Sequence, residues 1–377
     1  MKKNFIPVNE PLLKGNEKKY LNICIDTGWI SSDGPFVEKF EKKFANQMNR
    51  KYGIAVTNGT AAIDAAVEAL GIGLGDEVIL PSFTIISCIL QIVRSGAKPV
   101  LIDSDPITWN MDVSQIESKI TFRTKAIIVV HIYGLPVDMD PVLKICKKYN
   151  LKLIEDAAEV IGQTYKGKPC GSFGDISTVS FYPNKHITTG EGGMILTNNA
   201  NLAKTCRSLR NLCFQPSKRF VHERLGWNLR MSNIQAALGL AQLEDINKFI
   251  KKKRYIGYRY TQLLQDIPCI KLPLRRTNFA ENIYWIYGIV LNMKKKIDAK
   301  TITEKLLNVG VATRPFFCPM HKQPILKKMG YFSKQSYPVA ERMYKYGFYL
   351  PSGMALNNKQ IEYVAKSLKK IILNIKN

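Results

Sequence analysis

A lysine that directly follows a predicted strand can bind an aldehyde cofactor covalently. Lys185 lies in the segment 180–193, SFYPNKHITTGEGG, and the residues 177–181 before it predict a buried strand. A lysine amine in a desolvated site forms a Schiff base with a carbonyl group. Three glycines at the end of the segment let the backbone pass close to a bound group. Taken alone, the segment is more typical of an exposed lysine in a surface turn.

A carboxylate at the end of another predicted strand can partner a ring nitrogen. The apolar run 151–154 is followed by Glu155, Asp156, two alanines and Glu159. Open α/β sheets bind ligands at the carboxyl ends of their strands, which is where Asp156 is expected. Pyridoxal phosphate (PLP) needs a carboxylate beside its pyridine nitrogen, because the protonated ring is the better electron sink. Helix capping is the competing interpretation of Asp156.

A third motif is typical of a phosphate site. Asn58, Gly59 and Thr60 lead directly into a predicted Ala-rich helix over 61–70. The free N–H groups of a helix N-terminus, together with a hydroxyl, bind phosphate well. Plain capping explains this motif if it is considered alone. The three motifs in this order predict a PLP site.

The elements that position these motifs alternate along the chain. Strands are predicted over 77–80, 99–102, 126–130, 151–154, 177–181 and 194–197, with helices such as 141–148 between them. This alternation predicts an α/β fold, with a mostly parallel sheet flanked by helices. Phenylalanines at every fourth position in 36–44 indicate an amphipathic helix, and 232–249 predicts one long helix. We expect a large domain over 1–249, which includes the N-terminal segment, and a smaller α/β domain over 250–377.

Composition limits the classes of protein that the chain can belong to. The 377 residues are 46% hydrophobic and 23% charged, and no apolar stretch reaches the ~18 residues of a membrane span. No apolar segment typical of a signal peptide precedes Pro7. The eight cysteines form no Cys-x-x-Cys pair and the four histidines have no metal-ligand spacing. We therefore expect reduced thiols, a cytoplasmic location, no membrane partner and no bound metal.

The net charge of +25 has three interpretations. A basic surface can bind nucleic acid, attract an anionic small substrate, or simply be solvated. The lysines are dispersed, and the densest run, 251–254, lies in a predicted helix. The pattern favours a solvated surface first and substrate attraction second, so no nucleic-acid partner is expected.

Taken together, the motifs resemble those of the DegT/DnrJ/EryC1/StrS sugar aminotransferases, which are PLP enzymes of fold type I, the aspartate-aminotransferase-like fold. The likeness extends from about residue 6 to about residue 362. The matching segments are 29–35, 58–61, 155–159, 180–181, 185–193, 226–231 and 313–321. Within the family, the chain is most similar to the perosamine-synthase and viosamine-synthase branch.

The resemblance implies a role for each matching residue. Lys185 is the lysine that binds PLP, Asp156 is the partner of the pyridine nitrogen, and Glu159 lies near the ring. The residues implied to contact the phosphate are Gly59, Thr60, Ser180 and, from a neighbouring subunit, Asn228. A homodimer with shared active sites is therefore expected.

Other matching positions are less sharply defined by the resemblance. Many members cover the PLP ring with an aromatic residue where this chain has Ile85, so either Ile85 or Phe83 is expected to cover it. The positions implied on the substrate side are His186, Arg314, His321 and Trp29. Packing in the core or at an interface is the alternative role for Arg314 and His321.

The branch implies amino transfer from L-glutamate to C4 of a nucleotide-linked 4-keto-6-deoxyhexose, for glycan biosynthesis. Three alternatives remain open at this point: amination at C3, a PLP-dependent sugar dehydratase, and a non-catalytic regulator with the same fold. Lys185 argues against the dehydratase, in which histidine replaces the lysine. The presence of both Lys185 and Asp156 argues against the regulator.

Overall fold

The computed structural model describes residues 5–215, 217–292 and 297–376. The strands are β1 Tyr52–Val56, β2 Glu77–Pro81, β3 Lys98–Ile102, β4 Thr124–Val130, β5 Lys152–Asp156, β6 Thr164–Tyr165, β7 Lys168–Pro169, β8 Ile176–Ser180, β9 Gly193–Thr197, β10 Ile270–Lys271, β11 Tyr287–Leu291, β12 Arg314–Pro315 and β13 Gly347–Leu350. The six predicted strands correspond to β2, β3, β4, β5, β8 and β9, whereas β1, β6 and β7 were not predicted.

Helices fill the segments between the strands. They are α1 Glu17–Asp26, α2 Pro35–Gln47, α3 Gly59–Ala69, α4 Ser87–Arg94, α5 Met139–Tyr149, α6 Ala200–Arg210, α7 Asn233–Glu244, α8 Ile246–Leu264, α9 Ala299–Asn308, α10 Pro324–Lys328, α11 Pro338–Tyr346 and α12 Asn358–Lys376. Short 3-10 turns cover Val113–Gln115, Glu117–Lys119 and Met320–Lys322. No helix in these described ranges is both long enough and apolar enough to cross a membrane.

The central sheet has seven strands in the order β1-β9-β8-β5-β4-β2-β3. The neighbours from β8 to β3 are parallel, whereas β9 runs antiparallel to both β1 and β8. Successive side chains of β4 alternate between two cores: Ile127 and Val129 pack with α2 and α7, and Ile128 packs with α3 and α4. Both faces of the sheet are covered, which explains the unbroken apolar runs in the sequence. The predicted mostly parallel α/β fold is confirmed.

A second sheet, in the order β10-β11-β13-β12, forms the C-terminal layer. Helices α8, α9 and α12 cover it with a third apolar core. Ile6 belongs to this core and forms a parallel bridge with Val311, so the N-terminal segment reaches the C-terminal layer. The division of the chain at 249/250 falls inside α8 and stays a prediction.

The single helix predicted over 232–249 is wrong in detail. Two helices, α7 and α8, meet at Asp245, whose backbone is not helical at φ −102° and ψ 9°. The Asp245 carboxylate accepts a hydrogen bond from Lys248 Nζ at 2.6 Å, in the first turn of α8. Apolar periodicity continues through the break, so the sequence pattern does not reveal it.

Candidate active site

The predicted cofactor residues converge at one end of the central sheet. Asp156 is the last residue of β5, Lys185 follows β8, and Gly59 begins α3 directly after β1. They surround a cavity of about 290 Å³. The predicted residues that line it are Gly59, Thr60, Ile85, Asp156, Glu159, Ser180 and Lys185.

Lys185 projects into this cavity against an aromatic ring. Its Nζ lies 3.7 Å from the centroid of the Trp285 ring, a cation–π distance. Removal of the amine from water lowers the pKa of Lys185, and the carboxylates of Glu159 and Asp156 oppose that shift. A lysine with a lowered pKa is more often uncharged near neutral pH, which is the form that attacks a carbonyl.

Asp156 is buried, and two donors hold its carboxylate. Oδ1 accepts a hydrogen bond from the Ala158 backbone N at 3.0 Å, and Oδ2 accepts one from Cys88 Sγ at 3.4 Å. Burial raises the pKa of Asp156, and these bonds together with the charge of Lys185 oppose the rise. A buried carboxylate stays ionised when a cation faces it, and a protonated ring nitrogen is such a cation. No helix starts here, so the capping interpretation of Asp156 is wrong.

The N-terminus of α3 forms a cradle that only a glycine fits. A Cβ atom at Gly59 would lie 2.8 Å from the Cβ of Ser180, closer than real Cβ atoms approach. Thr60 Oγ1 and Ser87 Oγ lie 2.7 Å apart on the cavity wall, and the Asn58 side chain caps the helix by accepting from Ala61 N at 2.8 Å. Hydroxyls and helix N–H groups facing one space fit a phosphate group. Capping and the phosphate cradle therefore coexist in this motif.

Glu159 is a buried acid on the cavity wall. Its Oε2 accepts a hydrogen bond from the Tyr133 backbone N at 2.8 Å. Burial raises the pKa of Glu159, and the charge of Lys185 opposes that rise. A carboxyl group in this state can donate its proton to an oxygen of a bound ring. Lys185, Asp156, Glu159 and the cradle are together complementary to PLP.

The structure separates the two candidates for covering the ring. Ile85 lines the cavity and is 44% exposed, whereas Phe83 is fully buried at 0%. Phe83 packs against Phe317, at 5.8 Å between ring centroids, and Phe317 in turn lines the cavity. Ile85 therefore faces the cavity directly, and Phe83 supports its wall from behind.

A groove of about 590 Å³ adjoins the cavity, and Arg314 lines it. The residues shared by the two spaces are Tyr182, Asn184, Trp285 and Tyr349. Arg314 lies opposite Tyr349 in the pairing of β12 with β13. A basic side chain therefore lines the groove that is continuous with the Lys185 cavity.

Two predicted substrate residues do not reach either space. His186 is buried and lines neither the cavity nor the groove, although Lys185 beside it lines the cavity. His321 is buried as well, with Nε2 2.9 Å from Oε1 of Glu341. Contact of these two histidines with a substrate is not supported by this arrangement, because core packing holds both rings.

Two further predicted residues lie on the surface of the chain. Trp29 is 49% exposed, and its carbonyl accepts from Asn233 Nδ2 at 2.7 Å. Asn228 is exposed, and its Oδ1 accepts from Arg230 Nε at 3.0 Å. Neither lines the cavity of its own chain, so their contact with cofactor or substrate stays a prediction that requires a second subunit.

Sequence reasoning missed several residues of the cavity wall. These are Ser87, Tyr182, Asn184, Glu191, Trp285, Phe317 and Tyr349. Trp285 and Tyr349 come from the C-terminal part of the chain, where the sequence predicted only a smaller α/β domain. No motif in the sequence indicates that Trp285 lies at the cofactor cavity.

Comparison with known proteins agrees with this geometry. The sequence model of the DegT/DnrJ/EryC1/StrS aminotransferase family matches residues 11–369. The chain is 42% identical to the GDP-perosamine synthase of Escherichia coli O157:H7, over 97% of this chain and 98% of that protein. It is 41% identical to the GDP-perosamine synthase of Caulobacter vibrioides, over 98% of each chain.

The fold is also that of a solved aminotransferase. The structure superimposes on the aminotransferase TlmJ from Streptoalloteichus hindustanus with a TM-score of 0.91, at 27% identity, over 99% of this chain and 100% of TlmJ. Sequence and structure thus agree over almost the full length. The chain belongs to the DegT/DnrJ/EryC1/StrS aminotransferase family, and its cofactor is PLP.

Proposed function

We propose that this protein transfers an amino group from L-glutamate to C4 of a nucleotide-linked 4-keto-6-deoxyhexose, giving a perosamine-type sugar for a glycan. The observation that carries the proposal is the convergence of Lys185, Asp156 and the Gly59 cradle in one cavity. The likeness to two GDP-perosamine synthases over almost the whole chain supports C4 as the aminated carbon and GDP as the nucleotide.

PLP, when bound, supplies an electron sink that stabilises negative charge on the α-carbon of the amino donor. Lys185 is placed to move the proton between that α-carbon and C4′ of the cofactor, because its Nζ lies in the cavity and its pKa is lowered by burial. Asp156, buried at the end of β5, would hold the proton on the ring nitrogen. Glu159 lines the same cavity and would donate a hydrogen bond to the bound cofactor.

The apolar part of the wall excludes water from the reacting atoms. Ile85, Trp285 and Phe317 line the cavity, and Trp285 also lines the groove. In this environment the charges of Asp156 and Lys185 interact more strongly than in water.

The groove beside the cavity is where we place the nucleotide diphosphate. Arg314 is exposed there, and its planar guanidinium group matches phosphate oxygens. The basic balance of the chain, +25, favours the approach of anionic sugar nucleotides in general.

A homodimer with shared active sites is part of the proposal. Exposed apolar side chains are found near the two segments expected to reach the partner: Ile25, Trp29 and Ile30 in one, and Phe220, Val221 and Leu225 in the other. Apolar surface of this kind is typical of protein interfaces. The dimer would bring Asn228 of one chain to the cradle of the other.

We place the enzyme in the cytoplasm. The eight cysteines are all free in the structure, and six of them are buried. A chain with many unpaired thiols suits a reducing compartment.

The decisive experiment is a two-step reaction with the purified holoenzyme. L-glutamate is added first and the cofactor absorption recorded; a GDP-linked 4-keto-6-deoxyhexose follows, and the product is analysed by NMR. We expect Lys185→Ala to abolish both steps and Lys204→Ala, an exposed lysine on α6, to leave them intact. An amine at C3 or loss of a hydroxyl without amination would replace the proposal with one of its alternatives.

A further inference from the structure

A second lysine is buried close to the active site and takes no part in the chemistry described above. Lys253 on α8 is 1% exposed. Its Nζ donates to the carbonyl oxygens of Trp285, at 2.8 Å, and Ser352, at 2.7 Å. Burial of an ammonium group is costly unless hydrogen bonds compensate it. Lys253 therefore links α8 to the backbone of both Trp285 and Ser352.

The backbone that Lys253 holds is strained. Tyr284, the residue before Trp285, has φ 51°, in the left-handed region that non-glycine residues rarely adopt. Gly257, one turn along α8 from Lys253, packs directly on the Tyr284 ring: a Cβ there would lie 2.4 Å from it. Such a conformation persists only where surrounding contacts enforce it. Lys253 provides one of these contacts.

The side chain of Trp285 touches the reactive lysine. Its indole ring lies 3.7 Å from Lys185 Nζ, measured to the ring centroid. Its Nε1 donates to the carbonyl oxygen of Asn184 at 2.8 Å, in the residue directly before Lys185. Trp285 therefore contacts both the amine of Lys185 and the backbone that carries it.

We propose that Lys253 is a positioning residue for the amino transfer: by holding the Trp285 backbone, it fixes the indole against Lys185 and so directs the Lys185 amine. The proposal rests on the proposed function for its catalytic meaning. The contacts on which it depends, from Lys253 to Trp285 and from Trp285 to Lys185, are made by the protein without cofactor or substrate. Lys253 itself touches neither cofactor nor substrate.

The alternative is that Lys253 only provides hydrogen bonds to two buried carbonyl groups and has no effect on Lys185. The two roles differ in how substitutions combine. If Lys253 acts through Trp285, Lys253→Met and Trp285→Leu disturb the same contact, and their effects on Lys185 do not multiply. If the role is only structural, Lys253→Met changes stability and leaves Lys185 unaffected.

The test is a double-mutant cycle on the apo protein. The rate of reductive methylation of Lys185 is measured by peptide mass spectrometry in wild type, Lys253→Met, Trp285→Leu and the double variant. Lys251→Met, an exposed lysine of the same helix, is the matched control. We expect both single variants to change the methylation rate of Lys185 by a similar factor. The double variant should change this rate by no more than either single variant, and the control should leave it unchanged.

A second measurement follows the single-turnover reaction of each holoenzyme with L-glutamate. We expect Lys253→Met to slow it by about ten-fold or more, because a displaced amine loses its alignment with the reacting carbon. The proposal is overturned if Lys253→Met behaves like Lys251→Met in both measurements. It is also overturned if the effects of Lys253→Met and Trp285→Leu on the methylation rate of Lys185 multiply in the double variant.

The test still gives an answer if one variant does not fold or if the wild-type enzyme is inactive in the proposed reaction. If Lys253→Met does not fold by circular dichroism, Lys253→Leu, which also lacks a donor, takes its place with the same two criteria. The methylation cycle needs neither cofactor nor substrate. An inactive wild type would thus refute the proposed function while the cycle still decides the role of Lys253.

Discussion

Cys88 donates a hydrogen bond to Asp156 in the floor of the active-site cavity, with Sγ 3.4 Å from Oδ2. Burial raises the pKa of Cys88 well above its ordinary value, and the charge of Asp156 adds to this. The sulfur therefore keeps its proton and acts as a donor. Together with the Ala158 backbone N on Oδ1, it fixes the plane of the carboxylate.

This relationship predicts that Cys88→Ala weakens PLP binding while Cys88→Ser preserves it. A hydrogen bond of this kind contributes roughly 0.5–1.5 kcal/mol, so the Kd for PLP should rise by about two- to ten-fold in the alanine variant. Titration of apo protein with PLP measures it. Cys206→Ala, another fully buried thiol, on α6, controls for lost packing. Equal Kd values for the alanine and serine variants would show that the thiol proton is not used.

The Gly59 cradle predicts a second effect on the cofactor. In Gly59→Ala the new Cβ would lie 2.8 Å from Ser180 Cβ, so the start of α3 must move away from β8. Overpacking of this kind costs about 1–3 kcal/mol, and we expect PLP affinity to fall by about ten-fold or more.

The matched control for this substitution is Gly73→Ala. Its added Cβ would meet only the Ser95 carbonyl oxygen at an ordinary 3.7 Å. PLP affinity should then stay at the wild-type level, as measured by the same titration. An unchanged affinity in Gly59→Ala would mean that the phosphate binds elsewhere.

The buried Lys253 predicts a pH dependence of stability. Burial lowers the pKa of Lys253 from 10.5 to about 7, and the charge of Lys185 adds to this. Between these values the unfolded chain binds the proton more tightly than the folded one. The stability that this group contributes is complete above pH 10.5 and is lost as the pH falls to about 7.

We therefore expect the free energy of unfolding of the wild-type apo protein, minus that of Lys253→Met, to decrease as the pH falls from 10 to 7. The limiting slope is about 1.4 kcal/mol per pH unit for one proton. Urea unfolding at a series of pH values measures the difference. A flat difference would mean that Lys253 titrates normally in the folded protein.

Arg314 predicts a change confined to the sugar half of the reaction. Arg314→Gln removes the charge from the groove and leaves the cavity wall in place. We expect the KM for the sugar nucleotide to rise by roughly ten-fold, while the single-turnover rate with L-glutamate stays the same. Arg342→Gln, an exposed arginine on α11, is the control. A loss confined to the glutamate step would instead assign Arg314 to the amino donor.

Local sequence patterns predicted six of the seven strands of the central sheet and the polar residues that follow two of them. The apolar run before Asp156 and the one before Lys185 predict buried strands, and both side chains lie where those strands end. Adjacent residues nonetheless diverge. Ile85 faces the cavity and Phe83 supports it, while His186 is buried beside Lys185. Chain distance alone does not determine side-chain direction in irregular loops.

The fold class, the order of the cofactor motifs and the candidate lysine, Lys185, were all predictable from the sequence, because they depend on apolar periodicity and on residue types close in the chain. Three relationships are visible only in the folded chain: Trp285 faces Lys185, Lys253 binds the Trp285 carbonyl, and α7 and α8 break at Asp245. These relationships depend on how distant elements pack. Packing is set by shape and burial in three dimensions, which no local pattern encodes.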